Sequence, residues 1–398
     1  MGEIECKEIE IDVIARSIAR ILPWWLRAPL GNLYKSLRLL RPLDVEKARP
    51  RKRYNGRHVA VVGLFRSATG IGRGAELIAR TIEQRGGTVD RVDITALLGV
   101  AALSERTDVK LPKDCIEPDT TDVIVVVNPD KSHVLAAFDR RWLLERCIVG
   151  HWIWELEQLP RSWRRLACSF DEIWAPTTFV ADGIRRLLPE FPNPIEVLPY
   201  GVESDPLPAF SNDERRAARM RYAIADDTRV LGYSFSAGSN YERKNPEAAI
   251  DVFRNVFADG LPGFLVLRCQ DFEDYPSERS RLLSYIAGDP RIRLFEQHNR
   301  LGLFDFYRVI DVLVSPARAE GYGLTLAEAA QAGVPVVTSS WRLPPEILHM
   351  PLVHAVGFKL VPVKDPHGVY TGIADARWAD PDLDEMAAAV RKLCSAGG

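Results

Sequence analysis

The cysteines of this sequence have the spacing of neither a zinc site nor a disulfide framework. Its six cysteines (Cys6, Cys115, Cys147, Cys168, Cys269 and Cys394) are scattered, with no Cys-x-x-Cys pair and no close histidine partner. A reduced, cytoplasmic setting is the simpler expectation. Long apolar runs are missing too. Uncharged stretches such as Ile94–Ser104 fall well short of the ~18–20 residues that span a bilayer. The N-terminus opens on acids rather than a basic leader, so no cleavable signal is expected. Pro and Gly, 27 each, are too few for a fibrous or low-complexity chain. A net charge of −2 argues against a nucleic-acid binder. No Ser-His-Asp or His-Glu-x-x-His pattern points to hydrolysis by those routes.

What is present is a globular composition, 46 % hydrophobic and 27 % charged, over 398 residues. That length suits two domains better than one. The charge is unevenly placed: residues 1–57 hold 13 Lys/Arg against 7 Asp/Glu, which leaves −8 for the rest. Ile11, Ile14, Ile18 and Leu22, then Leu30, Leu33, Leu37 and Leu40, recur at helical spacing on either side of Pro23-Trp24-Trp25. Two amphipathic helices within residues 7–41 are expected. Their basic flanks and paired Trp suit an anionic membrane surface, contacted through residues 7–53, or else packing on the main body. Residues 49–57 read as an exposed linker.

From residue 58 short apolar runs alternate with helical patterns, the signature of parallel sheets covered by helices. A first series runs through strands at 58–64, 89–94, 122–127, 147–152, 172–174 and 196–198. A polar stretch over 200–228 precedes a second series at 229–235, 264–267, 291–295, 311–314 and 335–338. The expected domains are 1–56 (basic extension), 57–205 and 206–398.

Four segments carry chemistry. In Glu320-Gly-Tyr-Gly-Leu-Thr-Leu-Ala-Glu328 the glycines Gly321 and Gly323 allow close backbone approach before a helix opens near Thr325. The N–H groups and dipole at such a helix start favour an anion. Thr325-x-x-Glu328 also scores as a capping box. Arg243 and Lys244 sit at a strand-to-helix junction, where two cations can neutralise a diphosphate or simply be solvated. Gly70-Ile71-Gly72-Arg73-Gly74-Ala75 matches a dinucleotide fingerprint with Asp90 twenty residues on. However, the extra loop Phe65–Thr69 before it favours a loop lending N–H groups to a ligand. Finally, Gly150-His151-Trp152-Ile153-Trp154-Glu155 reads either as an aromatic, acidic sugar wall or as core. Asp380-Pro-Asp382 is formally a metal motif, but Asp382-x-x-Glu385 reads better as a helix cap.

Together the Glu320…Glu328 pair, Arg243-Lys244-Asn-Pro, the loop at 70–74 and Leu198-Pro-Tyr-Gly-Val202 resemble the retaining GT-B nucleotide-sugar glycosyltransferases of family 4, from about residue 57 onward. Trp378-Ala-Asp-Pro-Asp382 also resembles a bacterial polysaccharide-assembly branch. The resemblance implies an α/β chain with two Rossmann-like, doubly wound domains facing across a cleft, and the donor held mainly by the second. It implies a retaining hexosyltransferase with no cofactor and no metal requirement. Its substrates are a nucleotide-sugar donor and a saccharide or lipid-linked saccharide acceptor, and its place is the inner face of the cytoplasmic membrane. It gives Glu320 to the donor sugar, Glu328 to the ribose, and Arg243 and Lys244 to the diphosphate. Backbone N–H groups of Leu324, Thr325 and Gly72 assist beside Gly323, with Gly70 and Trp154 on the acceptor side. Many members carry His-Asp where this chain has Trp154-Glu155, so the sugar-facing role falls to His151 or Glu155. The rival readings are an NAD-dependent oxidoreductase built on the 70–75 loop and a catalytically silent scaffold.

Overall fold

The structure, a computed structural model, describes residues 52–396 other than 103, 207–209, 259, 261, 270 and 297–300. The amphipathic helices expected within 7–41, and most of the proposed membrane-binding segment, lie outside the described residues.

Two units emerge. The first comprises the chain up to Asp205 together with Pro366–Ala374, and the second comprises Pro206–Asp365 and Asp375–Gly398. In the first, β1 (His58–Gly63), β2 (Thr88–Asp93), β3 (Asp122–Val125), β4 (Cys147–His151), β5 (Glu172–Ala175) and β6 (Ile195–Val197) form one parallel sheet in the order β2-β1-β3-β4-β5-β6. Strands covered on both faces read as continuous apolar runs rather than alternating ones, as Val59–Val62 and Val123–Val125 do, all fully buried.

In the second unit β7 (Arg229–Phe235), β8 (Gly263–Cys269), β9 (Ile292–Phe295), β10 (Val312–Ser315), β11 (Val336–Ser339) and β12 (Val353–Val356) are ordered β12-β11-β10-β7-β8-β9. The chain winds outward from β7 to β9, returns to place β10 on the other side of β7, and winds outward again. The strand order therefore reverses between β7 and β10, and such a switch point opens a crevice at the strands' carboxyl ends. One side of this sheet is covered by the helices Pro246–Val256 and Leu383–Ala396, which bury Phe253, Met386 and Val390 with Leu231 and Leu265.

The structure departs from the sequence reading in four places. Residues 52–57 are not a free linker. Their backbone N–H groups donate to three buried carboxylates at the amino ends of β3 and β5: Lys52 to Asp171 (3.3 Å), Tyr54 to Glu172 (3.1 Å), and Asn55 and Gly56 to Asp122 (3.2 and 3.0 Å). The polar stretch 200–228 contains a helix, Asn212–Arg221, whose Ser211/Glu214 capping box is complete. Beyond β12, an antiparallel hairpin of β13 (Phe358–Pro362) and β14 (Arg377–Pro381) was not expected. Between those strands, residues 366–374 belong to the first unit. There the Tyr370 ring meets Trp154 edge-on at 5.5 Å and its hydroxyl donates to Glu155 (2.6 Å).

Candidate active site

In the second unit Arg243, Lys244 and Glu320 come together at the β7/β10 switch point. After β7 the chain makes a turn at Ala237–Ser239 and then the single-turn helix Tyr241–Lys244. Asn240 and Asn245 flank that helix at φ 67° and 51°, left-handed conformations that asparagine tolerates better than most residues. Each Asn also cross-links. Asn240 Oδ1 accepts from the Arg243 N–H (3.1 Å), and Asn245 Nδ2 donates to Pro316 O (3.3 Å) in the loop after β10. The Lys244 carbonyl accepts from the Tyr233 hydroxyl (2.6 Å). These bonds aim the two cations into the switch-point crevice.

There they meet Glu320. Lys244 Nζ donates to Glu320 Oε1 at 2.6 Å, and Arg243 Nη1 lies 3.7 Å from Oε2 while donating to Ala319 O (2.6 Å). Burial pushes the Glu320 carboxyl up, but the Lys244 and Arg243 charges and the Lys244 hydrogen bond outweigh it and hold it below its usual range. Lys244, Glu320, Gly323 and Thr325 line one small pocket together with Ser234 and Ser315.

The helix expected near Thr325 begins at Leu324, capped by Gly323 at φ 99°, a conformation that favours glycine. Its first i→i−4 bond is Ala327 N–H to Gly323 O (3.1 Å), so the Leu324 and Thr325 N–H groups precede the helical ladder. The capping-box reading of Thr325 and Glu328 fails, because Thr325 already lies inside the helix. Glu328 instead turns inward, 3 % exposed, with Oε2 3.4 Å from the Tyr307 hydroxyl. Arg268 on β8 was missed by sequence reasoning. Its Nη1 donates to Ser234 Oγ (3.0 Å), and its Nε to Leu301 O (2.8 Å). Burial pulls its pKa down, while Tyr307, Cys269 and Glu328 oppose the shift. The available signal was a polar pair, Ser234 and Arg268, in register on two otherwise apolar strands.

The first unit's candidates are placed differently. The 70–75 segment is not a loop but the first turns of a helix, Gly70–Gln84, capped by Thr69. The Gly72 N–H expected to serve a ligand is used by Thr69 Oγ1 (3.1 Å). Gly72 is required for another reason: an added Cβ would come within 2.4 Å of the Leu64 carbonyl oxygen. Gly70 sits at the helix start with open space beside it. Asp90, the acid of the dinucleotide reading, is held by Lys110 (2.9 Å) and His58 (3.0 Å).

His151 closes β4, where Nε2 lies 3.1 Å from Leu198 O and the buried Nδ1 has no partner. Burial pushes its pKa down to about 4, so it is neutral at physiological pH. Its contribution to stability falls as the pH drops from the ordinary histidine value toward that figure. Trp152 and Trp154 are core, both edge-on to Trp163. Glu155, half-buried, is held by Tyr370.

The two acids of the formal metal motif have other work. Asp382 Oδ1 accepts from the N–H groups of Asp384 and Glu385 (3.1 and 3.0 Å), capping the last helix, and Asp380 pairs with Arg318 (2.9 Å). Glu385 does not complete a capping box, since its carboxylate accepts from the Gly357 N–H (2.7 Å).

Comparison with known proteins bears on the family and the fold. Residues 238–377 match the family described as Glycosyl transferases group 1. A D-inositol 3-phosphate glycosyltransferase of Geodermatophilus obscurus is 27 % identical over 185 residues, 40 % of this chain and 36 % of that protein. The chain thus spans about a third of that relative's length. Among solved structures, WaaG, a glycosyltransferase involved in lipopolysaccharide biosynthesis, superposes with a TM-score of 0.53 at 14 % identity, over 85 % of this chain and 90 % of that one. Anabaena HepE in complex with UDP-glucose gives a TM-score of 0.51 at 12 % identity over 75 % and 85 %. With its two parallel six-stranded sheets, the chain has the GT-B fold of its structural neighbours, and its residues 238–377 match the group 1 glycosyl transferases.

Proposed function

We propose that this protein transfers a sugar from a nucleoside-diphosphate donor to a hydroxyl acceptor with retained anomeric configuration. The observation that carries the reading is the charged cluster of Lys244, Arg243 and Glu320 at the switch point, where Lys244 and Glu320 line a pocket beside the start of the helix Leu324–Gln331. As the bond from the anomeric carbon to the diphosphate oxygen breaks, negative charge grows on the diphosphate. Lys244, Arg243 and the N–H groups of Leu324 and Thr325 stabilise it, a role akin to an oxyanion hole. At ~4 Å and an effective dielectric near 20, each cation contributes about 4 kcal/mol before desolvation, an upper-end figure. Charge compensation of that size lets the reaction run without a metal.

Glu320 shares the Lys244 ammonium and faces the sugar, while Glu328 takes the ribose diol. The acceptor oxygen bonds to the anomeric carbon on the face the diphosphate leaves, and its proton passes to the departing phosphate oxygen. No enzymic nucleophile is needed. The sugar-facing role in the first unit falls to His151 or Glu155.

A thermal-shift panel of UDP-, GDP- and ADP-sugars, with and without EDTA, tests the donor reading. One of them stabilises the protein by about 2.7 kcal/mol at a hundred times its Kd, and EDTA leaves the shift unchanged. Three flat curves sink the reading.

We further propose that the acceptor is a saccharide or lipid-linked saccharide used in polysaccharide or glycolipid assembly, met at the cytoplasmic membrane face. The excess of basic residues in 1–57 supports this. Deleting residues 1–48 abolishes binding to phosphatidylserine vesicles and spares donor hydrolysis, and binding by the full chain weakens with salt. Salt-insensitive vesicle binding by the truncated protein refutes this role for the arm.

A further inference from the structure

We propose that Asp271 is a positioning residue for the Arg243 guanidinium, acting through the turn Ala237–Ser239. The role rests on reading this site as a donor diphosphate pocket.

Asp271 lies two residues beyond β8, whose last residue, Cys269, is in register with Phe235 at the end of β7. The Asp271 carboxylate therefore reaches the turn that leaves β7. Oδ2 accepts from the Ser236 hydroxyl (2.6 Å) and the Gly238 N–H (2.9 Å), and Oδ1 accepts from the Ala237 N–H (2.9 Å). The wrap is close: a Cβ on Gly238 would lie 3.0 Å from Asp271 Oδ2 and 2.9 Å from the Tyr275 hydroxyl oxygen. Three donors from consecutive residues on one carboxylate leave the turn little freedom.

The far side of that turn holds Arg243. The Ser239 carbonyl accepts from Arg243 Nε at 3.0 Å, while Asn240 Oδ1 and Ala319 O fix the main chain and Nη1. Arg243 is 6 % exposed, so its guanidinium direction is set by these acceptors rather than by solvent. Removing the Asp271 carboxylate deprives two backbone N–H groups and a hydroxyl of their acceptor. The turn then relaxes and carries the Ser239 carbonyl away from Nε. Asp271→Asn keeps one oxygen for Ala237 and turns an amide N–H₂ toward the donors of Ser236 and Gly238, so its effect is intermediate.

The test uses the full chain without ligand, labelled with ¹⁵N-arginine, and the Arg243 Nε–H signal is assigned by its loss in Arg243→Lys. In Asp271→Ala its solvent exchange accelerates at least tenfold, while the backbone amides of β10 and β11 keep their wild-type rates. Unchanged Arg243 exchange, or acceleration spread evenly through the unit, overturns the proposal. Asp271→Asn, with a smaller acceleration, carries the test if the alanine variant does not fold.

A second arm titrates UDP, GDP and ADP calorimetrically. The diphosphate that binds wild type binds about tenfold more weakly to Asp271→Ala and to Arg243→Lys, and the double variant is no weaker than Arg243→Lys alone. Penalties that multiply in the double variant overturn the positioning role. If no diphosphate binds wild type, the donor reading fails, and the exchange measurement still decides whether Asp271 positions Arg243.

Discussion

Lys244→Ala lowers kcat by about 100-fold at saturating donor and leaves the protein folded. The magnitude follows from removing one preorganised charge from a leaving group, which costs about 10²–10³ in turnover where such donors have been deleted. Folding survives because Lys244 reaches the pocket rather than the core, and the Tyr233 bond is to its main-chain carbonyl, which alanine keeps. The variant also leaves Glu320 with Arg243 at 3.7 Å as its remaining named cation, so its carboxyl pKa rises toward the ordinary value. The sign follows. A carboxyl held low in the folded state contributes stability above its ordinary pKa and loses it as pH falls through the lowered one. Wild type is thus more stable than Lys244→Ala at pH 7, and the gap narrows on acidification below the carboxylate range. Turnover at saturating donor, with melting curves from pH 7 down to about 3, checks both. Near-normal turnover removes Lys244 from the mechanism.

Asp311→Ala destabilises the protein by about 3–5 kcal/mol, the range for stripping the partner from a buried charge. Asp311, just before β10, accepts from Arg215 and Arg219 (2.8 Å each) and from the Val230 N–H (2.7 Å). The Arg219 side chain is 7 % exposed and also donates to the carbonyls of Val309, Asp226 and Thr228. With the carboxylate gone, those carbonyls hold a buried guanidinium with no counter-charge. Arg215, the second partner, is more exposed and adds less. For a unit of this size each kcal/mol moves Tm by about 2–4 °C, so the expected loss is about 10 °C. Asp311→Asn, which retains an acceptor for Val230, falls between. A change under about 1 kcal/mol in denaturant unfolding means the arginines re-pair elsewhere.

Much of the architecture was legible because parallel strands covered on both faces need uninterrupted apolar runs. Strands such as Val59–Val62 and Arg229–Phe235 announce themselves without their neighbours. The hairpin of β13 and β14 gave no such signal. Phe358, Lys359 and Leu360 are exposed, and both strands end in proline. The helix beginning Asn212 was hidden by its polar face, although Ser211 and Glu214 do spell its cap.

At the site, residue types were more legible than geometry. Arg243, Lys244, Glu320 and Glu328 could be named from spacing, and Gly323 from the need for a positive φ. For Glu328 spacing alone offered two roles, a ribose-facing acid by resemblance and a helix cap by Thr325-x-x-Glu328. Only the start of the helix at Leu324 shows the carboxylate turned inward toward Tyr307. Asp271 and Arg268 act on residues 33 or more positions away, a range that local pattern does not reach.

The order of apolar runs, the cations after β7 and the acids after β10 were therefore determined by the sequence alone, since each depends on neighbours a few positions away. That Lys244 meets Glu320 across 76 residues, that residues 52–57 are bound by carboxylates from distant strands, and that 366–374 join the first unit were decided by the tertiary structure. The physical reason is that a hydrogen bond selects its partner by position in space, and the order in which strands enter a sheet sets that position.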